Sequence, residues 1–378
     1  MSFENSMKNT NDVVQSSREI HYWNFLKAFS IFLVVYCHMP LLNPTWHNNY
    51  SQLITYVAVP LFFMVNGAAL FRGKFNSKKH LKKIFHLFLV SRVWRIFYLL
   101  FALQYAMVDR SVLTFRKFIL YFLGASIKGV PAGPLWFIRV LIACYLLFPV
   151  LKAAFDSEEF RKYLWVLCLA ILILMLGRQE FLLWQEAFVR RGFISKDTVI
   201  SLDFLNRYNP INEWAVLYFV SGGLLHQRFY AKREQKRIEH IIGYGVAFVM
   251  GSLWLFVLKG LISGFSGTAF NDFSKYGVDG CYQSVAVLSM AIGVFMAAMY
   301  LPFRQEWLNV ILRLIGRNTL VIYYMHYVGA HLLKAYVPYF GTHVGIICNS
   351  IKTVVLITGC MLIGFAVKKI PVIKRLVI

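Results

Sequence analysis

The sequence predicts an all-α membrane protein, a polytopic bundle of about ten transmembrane helices with both termini in the cytosol. Of its 378 residues, 58% are hydrophobic and only 15% are charged, a balance far from that of soluble domains. Apolar stretches long enough to cross a bilayer recur along the chain. The predicted helices are 22–43, 53–72, 84–107, 135–155, 163–178, 212–229, 241–263, 281–301, 316–336 and 344–367.

The basic residues indicate how these helices are oriented. They cluster in segments assigned to the cytosol, whereas the outer loops 44–52 and 337–343 contain no Lys or Arg. This asymmetry is the positive-inside pattern, and it accounts for the net charge of +23 without nucleic-acid binding. The exception is 179–211, read as a long outer loop with charges of both signs. An amphipathic helix is expected at the outer surface within 113–126.

A single membrane domain is expected from 21 to 367. Residues 1–20 are polar and are predicted to be a disordered cytosolic segment, and 368–378 is a basic cytosolic tail. The six cysteines form no CxxC pair and mostly lie within apolar stretches, which predicts buried thiols rather than disulfides. No metal-binding motif is evident.

The first predicted helix carries two ionisable side chains, Lys27 and His38. Lys27 and His38 are eleven residues apart, close to three helical turns, so both side chains project from one face. Along the helix axis they are roughly 16 Å apart. Ionisable groups inside a membrane helix indicate a functional site, although Lys27 alone can also reach the headgroups. A neutral imidazole is suited to take a proton from a hydroxyl. Glu213, Asp272 and Asp279 are all candidates to orient it, and the sequence does not choose among them.

The third predicted helix contains Arg92 and Arg95, which share a helix face. Together with Lys27 they form a cationic group suited to the phosphates of a ligand that enters from the cytosol. The alternative is that both arginines extend to anionic lipid headgroups.

Further side chains are candidates to line the site. Asn66 lies between Pro60 and Gly67, a combination that allows a kinked helix and close approach of a neighbour, and helix packing alone also explains it. Trp136 fits an interfacial aromatic residue as well as a residue that stacks on a sugar or a pantetheine arm. His326 is a second imidazole within a span, and such a residue is often only hydrogen-bonded within the bundle.

Taken together, these fragments resemble the acyltransferase-3 family of integral membrane acyltransferases. The resemblance rests on Lys27-x10-His38, on PLFFMVNG at 60–67, and on RVWR at 92–95. Three later blocks also match: LWF at 135–137, YFVSGGLL at 218–225 and IGRNTLVIYYMH at 315–326. The match runs in order from 21 to about 366. Asn24 stands where members often have Asp, Lys27 where Arg is commoner, and Asn66 where Ser is common.

The resemblance implies transfer of an acyl group, usually acetyl from acetyl-CoA, to a hydroxyl of an extracytoplasmic or lipid-linked glycan. It is closest to the branch that O-acetylates bacterial surface polysaccharides, including the enterobacterial-common-antigen type. Related members use succinyl donors. The expected location is the bacterial inner membrane, with acyl-CoA as co-substrate and with a glycan acceptor and membrane lipids as partners. Two other classes stay open: a transporter or flippase of lipid-linked sugars, and a membrane sensor or scaffold.

Overall fold

The computed structural model describes residues 20–39, 45–109, 111, 113–130, 133–198, 213–234, 237–265 and 281–369. The regular elements of these residues are all helical, which confirms the predicted fold class. They form fourteen α-helices: α1 His21–Tyr36, α2 Trp46–Ile54, α3 Ala58–Arg72, α4 Ser77–Gln104, α5 Phe115–Leu123, α6 Trp136–Asp156, α7 Glu158–Ile171, α8 Arg178–Arg190, α9 Glu213–Phe229, α10 Arg237–Ser263, α11 Val285–Tyr300, α12 Glu306–Tyr336, α13 Pro338–Thr342 and α14 Ile346–Lys368.

Five helical segments of the described chain are long and apolar enough to cross a membrane: Trp46–Arg72, Ser77–Gln104, Gly133–Asp156, Arg237–Ser263 and Ile346–Lys368. The protein is therefore a helical membrane protein. The number of ten spans and the cytosolic placement of both termini stay predictions. The predicted disordered segment, most of the basic tail, and Asp272 and Asp279 lie outside the described residues.

Three helix boundaries differ from the sequence prediction. Helix α1 ends at Tyr36, so His38 lies in the turn that follows it rather than inside a helix reaching residue 43. Pro40, soon after, disfavours helical backbone in the residue before it. Helix α4 begins at Ser77, where the Asn76 side chain accepts a hydrogen bond from the Lys79 N–H.

The third difference concerns the long loop predicted at 179–211. Its first part is helix α8, Arg178–Arg190, which follows a π-helical turn at 172–177. This part of the segment carries charged residues of both signs. One of them, Glu180, is buried and accepts hydrogen bonds from the indoles of Trp184 and Trp254 and from the Ser284 hydroxyl. A buried carboxylate satisfied in this way is compatible with a helix.

Helices α3 and α9 touch through their backbones. A Cβ atom added to Gly67 would lie 1.8 Å from the Phe219 carbonyl oxygen, and one added to Gly222 would lie 2.1 Å from the Met64 carbonyl oxygen. Only glycine permits this distance, as small residues do at helix interfaces in membranes. The predicted close approach of another helix at Gly67 is thus confirmed.

Side-chain contacts define two ends of the bundle. At the Arg72 end, the Arg72 guanidinium lies over the Trp23 ring at 5.9 Å, and the Tyr22 hydroxyl is 2.6 Å from His226 Nδ1. Helix α1 starts there and α3 and α9 finish there. At the His38 end, α1 finishes, α12 approaches its end, and α14 begins. Helices α1 and α12 run side by side in the same direction between these ends.

Candidate active site

His38 opens into a cavity of about 310 Å³ at the His38 end. Its walls come from the turn after α1, from the last turns of α12, and from α13. The lining residues are Cys37, His38, Met39, Tyr327, Ala330, His331, Lys334 and Phe340. No aspartate or glutamate stands among these described lining residues, so the polar chemistry of the wall is that of imidazole, thiol, phenol and ammonium groups.

Sequence reasoning missed most of this wall. Tyr327, His331 and Lys334 recur at intervals of four and three residues, which places them on one face of α12. That spacing was visible in the sequence. The wall could not be assembled from it, because the turn at Cys37 joins this face only through the packing of α1 on α12.

His326 lies beside His38, with the two ring centroids 5.1 Å apart and the ring planes tilted by 36°. The His326 side chain is fully buried. Its Nδ1 is 2.6 Å from the carbonyl oxygen of Tyr323, one turn earlier in α12. His38 also meets the Tyr327 ring edge-on, at 5.1 Å. The structure therefore brings together two predicted site residues, His38 and His326, that are far apart in the sequence.

A layer of aromatic rings continues from His326 into the bundle. The Tyr323 ring lies 5.7 Å from His326 and 5.3 Å from Phe137, and its hydroxyl donates a hydrogen bond to the Pro134 carbonyl. On the next residue of α12, the Tyr324 ring stacks on Trp94 at 5.3 Å. This contact brings α4, which carries the predicted arginines, against the same part of α12.

Arg92 and Arg95 are buried and both donate hydrogen bonds to the C-terminal end of helix α5. Arg92 Nη1 lies 2.6 Å from the Phe122 carbonyl oxygen, and Arg95 Nε lies 2.8 Å from that of Tyr121. Arg95 Nη2 also donates to the Ala125 carbonyl, and its guanidinium lies 4.2 Å from the centroid of the Tyr121 ring. Cations at the carbonyl end of a helix are stabilised by the helix dipole.

Helix α5 is the short amphipathic helix predicted within 113–126. Thr114 caps its start, and it ends at Gly124 with φ of 140°. Its exposed face is apolar, because Phe115, Leu120 and Leu123 are largely exposed. Arg92 and Arg95 of α4 attach this helix to the bundle through their hydrogen bonds to its C-terminal end.

Three other predicted site residues lie in packed surroundings. The Asn66 amide donates to the Phe62 carbonyl and accepts from the Tyr145 hydroxyl at 2.7 Å, so it joins α3 to α6. The centroid of the Trp136 ring lies 6.1 Å from that of Trp214 and 5.7 Å from that of Tyr282. Glu213 is the first residue of α9, next to Trp214 in this aromatic group.

Lys27 is half-buried on α1, between the two ends of the bundle. The structure does not bring it into the wall of the His38 cavity, whose lining begins at Cys37. The predicted acyl-CoA contacts of Lys27, Arg92 and Arg95 remain predictions.

The fold and the cavity define a class: a helical membrane protein with an imidazole-lined cavity at one end of its bundle. A family model described as an acyltransferase domain, that of the acyltransferase-3 family, matches residues 20–368. The chain belongs to this family and is a membrane acyltransferase. No curated protein and no solved structure matches it.

Proposed function

We propose that this protein moves an acyl group, most readily acetyl, from acyl-CoA to a hydroxyl of a lipid-linked or surface glycan, with His38 as the general base. The observation that carries the proposal is the position of His38, exposed in the wall of a cavity at the end of the bundle where α1 finishes. Membership of an acyltransferase family supplies the reaction type.

The chemistry follows from an imidazole in that position. A ring nitrogen of His38 takes the proton of the acceptor hydroxyl as the oxygen attacks the thioester carbonyl. A C–O bond forms, the C–S bond breaks, and the imidazolium returns its proton to the departing thiolate. No net redox change or further reactant is needed. Transfer through a covalent acyl-enzyme would use the same base twice.

The donor is proposed to enter from the Arg72 end, where basic residues are frequent, and the acceptor to occupy the His38 cavity. This arrangement places the donor on the cytosolic side and the glycan on the outer side of a bacterial inner membrane, as the positive-inside pattern predicts. Lys27, Arg92 and Arg95 are the proposed contacts for the phosphates of acyl-CoA, and Arg92 and Arg95 lie farther along the path from the Arg72 end, in the layer where Trp94 stacks on Tyr324. Asn66, Trp136, Glu213 and His326 are proposed to line the path or the acceptor site.

The test supplies acetyl-CoA labelled in its acetyl group to membranes that contain the protein, then measures label in the polysaccharide fraction. Mild alkali should release that label, because an O-ester is cleaved by base. We expect His38→Ala to abolish incorporation while the protein accumulates normally. His47→Ala, at an exposed histidine outside the cavity, serves as the matched control.

Incorporation at the wild-type level by the His38→Ala protein would remove the proposed base. Absence of acyl transfer by the wild type, together with translocation of a lipid-linked sugar, would instead favour the transporter alternative. Repeating the assay with labelled succinyl-CoA decides which acyl group the enzyme prefers.

A further inference from the structure

The two ring nitrogens of His326 have different surroundings. Nδ1 lies 2.6 Å from the Tyr323 carbonyl oxygen and 3.3 Å from that of Ile322. Carbonyl oxygens only accept hydrogen bonds, so Nδ1 carries the ring proton of the neutral imidazole. Nε2 is then a lone-pair acceptor with no ring proton of its own.

Nε2 of His326 is buried and has no hydrogen-bond partner among the described residues. Buried polar atoms are almost always paired, so an acceptor left open in the protein interior requires an explanation. The neighbouring ring is that of His38, 5.1 Å away between centroids. This separation permits a hydrogen bond from a His38 N–H to the open acceptor when the two nitrogens face each other.

We propose that His326 is a positioning residue for His38, and that its Nε2 accepts the N–H of His38 on the ring nitrogen remote from the substrate. This inference rests on the proposed function, in which the other ring nitrogen of His38 takes the hydroxyl proton. The hydrogen bond from His38 to His326 holds the base in the required tautomer. It also stabilises the imidazolium that forms during transfer, a task for which many enzymes use a carboxylate.

The surroundings of the pair oppose a second added proton. The groups that face it are the Cys37 thiol and the phenols of Tyr323 and Tyr327, together with His331 and Lys334 along α12. The ammonium of Lys334 opposes a second positive charge nearby. The pair therefore works as one proton-holding unit, with His38 on the cavity side and His326 on the buried side.

The test uses two amide substitutions that separate the two nitrogens. His326→Gln places an amide near the position of Nε2 and so keeps an acceptor for His38. His326→Asn places its amide near Nδ1 and keeps the bond to the Tyr323 carbonyl, but loses the acceptor. We expect kcat for labelled acetyl transfer to stay within about tenfold of wild type in His326→Gln and to fall about fifty-fold or more in His326→Asn. The KM for acetyl-CoA should change little in either.

The opposite order would overturn the proposal. If the role of His326 were only to anchor its own helix, His326→Asn would be the more active variant, because it retains the backbone hydrogen bond. Equal activities of the two variants would also contradict a role for Nε2.

A second measurement does not depend on activity, so it separates failure of this proposal from failure of the proposed function. Diethyl pyrocarbonate modifies neutral imidazole, and peptide mass spectrometry follows its reaction at His38 as a function of pH. Loss of the acceptor should destabilise protonated His38, so the midpoint of modification should move about one pH unit lower in His326→Asn and clearly less in His326→Gln. An unchanged or raised midpoint in His326→Asn would refute the pairing, even if the wild type transferred no acyl group. The exposed His47 is the internal control in every sample.

Discussion

Two pairs of basic side chains lie inside this bundle, and their surroundings differ. His38 and His326 face each other beside a cavity, and one ring nitrogen of the pair has no protein partner among the described residues. Arg92 and Arg95 are both buried and donate to backbone carbonyls at the end of α5. The histidine pair keeps an open acceptor beside the cavity, whereas the arginine pair uses much of its hydrogen-bonding capacity on another helix.

This difference qualifies a general expectation about ionisable groups within membrane helices. Such groups are costly, and a functional site is the usual explanation. A buried cation can also be satisfied by the open carbonyls at a helix end, which is a structural role. The partner atoms of a buried cation, rather than its charge, distinguish a functional site from a structural role. Substitutions at the histidine pair and at the arginine pair test this distinction.

The largest expected effect is on catalysis at His38. His38→Gln should lower kcat for acetyl transfer at least a hundredfold, about 3 kcal/mol in activation free energy, because the amide cannot accept the hydroxyl proton. Its thermal unfolding temperature in detergent should match that of the wild type. Activity within tenfold of wild type would show that the histidine pair is not the base. His47→Gln is the control for modification of an exposed imidazole.

The next effect is on stability, at Arg95. Arg95→Ala removes the hydrogen bonds to the Tyr121 and Ala125 carbonyls, which should destabilise the docking of α5 by about 3 kcal/mol. Limited proteolysis between α4 and α6, with thermal unfolding, measures the loss. Arg190→Ala is the matched control, because the ion pair of Arg190 with Glu186 is exposed at the surface and such pairs contribute little to stability. Normal stability would contradict the role of Arg95 in holding α5; a rise in the KM for acetyl-CoA is expected separately from its proposed contact with the donor.

A smaller effect is expected at Lys27, the third proposed contact for acyl-CoA besides Arg92 and Arg95. Lys27→Met should raise the KM for acetyl-CoA about fivefold, roughly 1 kcal/mol, because one cation near the phosphates is lost. Lys27→Arg keeps the charge and should stay close to the wild type. Donor-concentration curves in membranes give both values. An unchanged KM for acetyl-CoA in Lys27→Met would contradict the proposed contact between Lys27 and the donor phosphates.

The smallest effect concerns a hydroxyl beside the arginine pair. The Tyr121 hydroxyl donates to the Arg95 backbone carbonyl at 2.9 Å, so Tyr121→Phe should weaken attachment of α5 by about 1 kcal/mol. The same proteolysis assay detects it, and Tyr163→Phe on the exposed face of α7 is the control. A loss of activity without any change in proteolysis would place Tyr121 in the site rather than in the attachment of α5.

The sequence predicts the helical class well, because apolar residues recur over lengths that a bilayer requires. It also identifies Gly67 as a point of close approach, and His38 and His326 as separate candidates. It does not predict that these two histidines meet, since that depends on the register with which α12 packs along α1. Nor does it predict the partners of Arg92 and Arg95, because backbone carbonyls exist at every residue and leave no sequence signature. The prediction of a loop over 179–190 is wrong, and two of the donors that satisfy Glu180 there, Trp254 and Ser284, are far from it in the sequence.

The backbone contact between Gly67 and Phe219 restricts relative movement of α3 and α9. Because no side chain separates the two backbones here, sliding of α3 along α9 would bring the peptide groups at Gly67 and Phe219 into steric clash. We therefore expect α3 and α9 to move together as one rigid unit. Any opening that admits an acyl chain or a sugar is then expected to form between other pairs of helices.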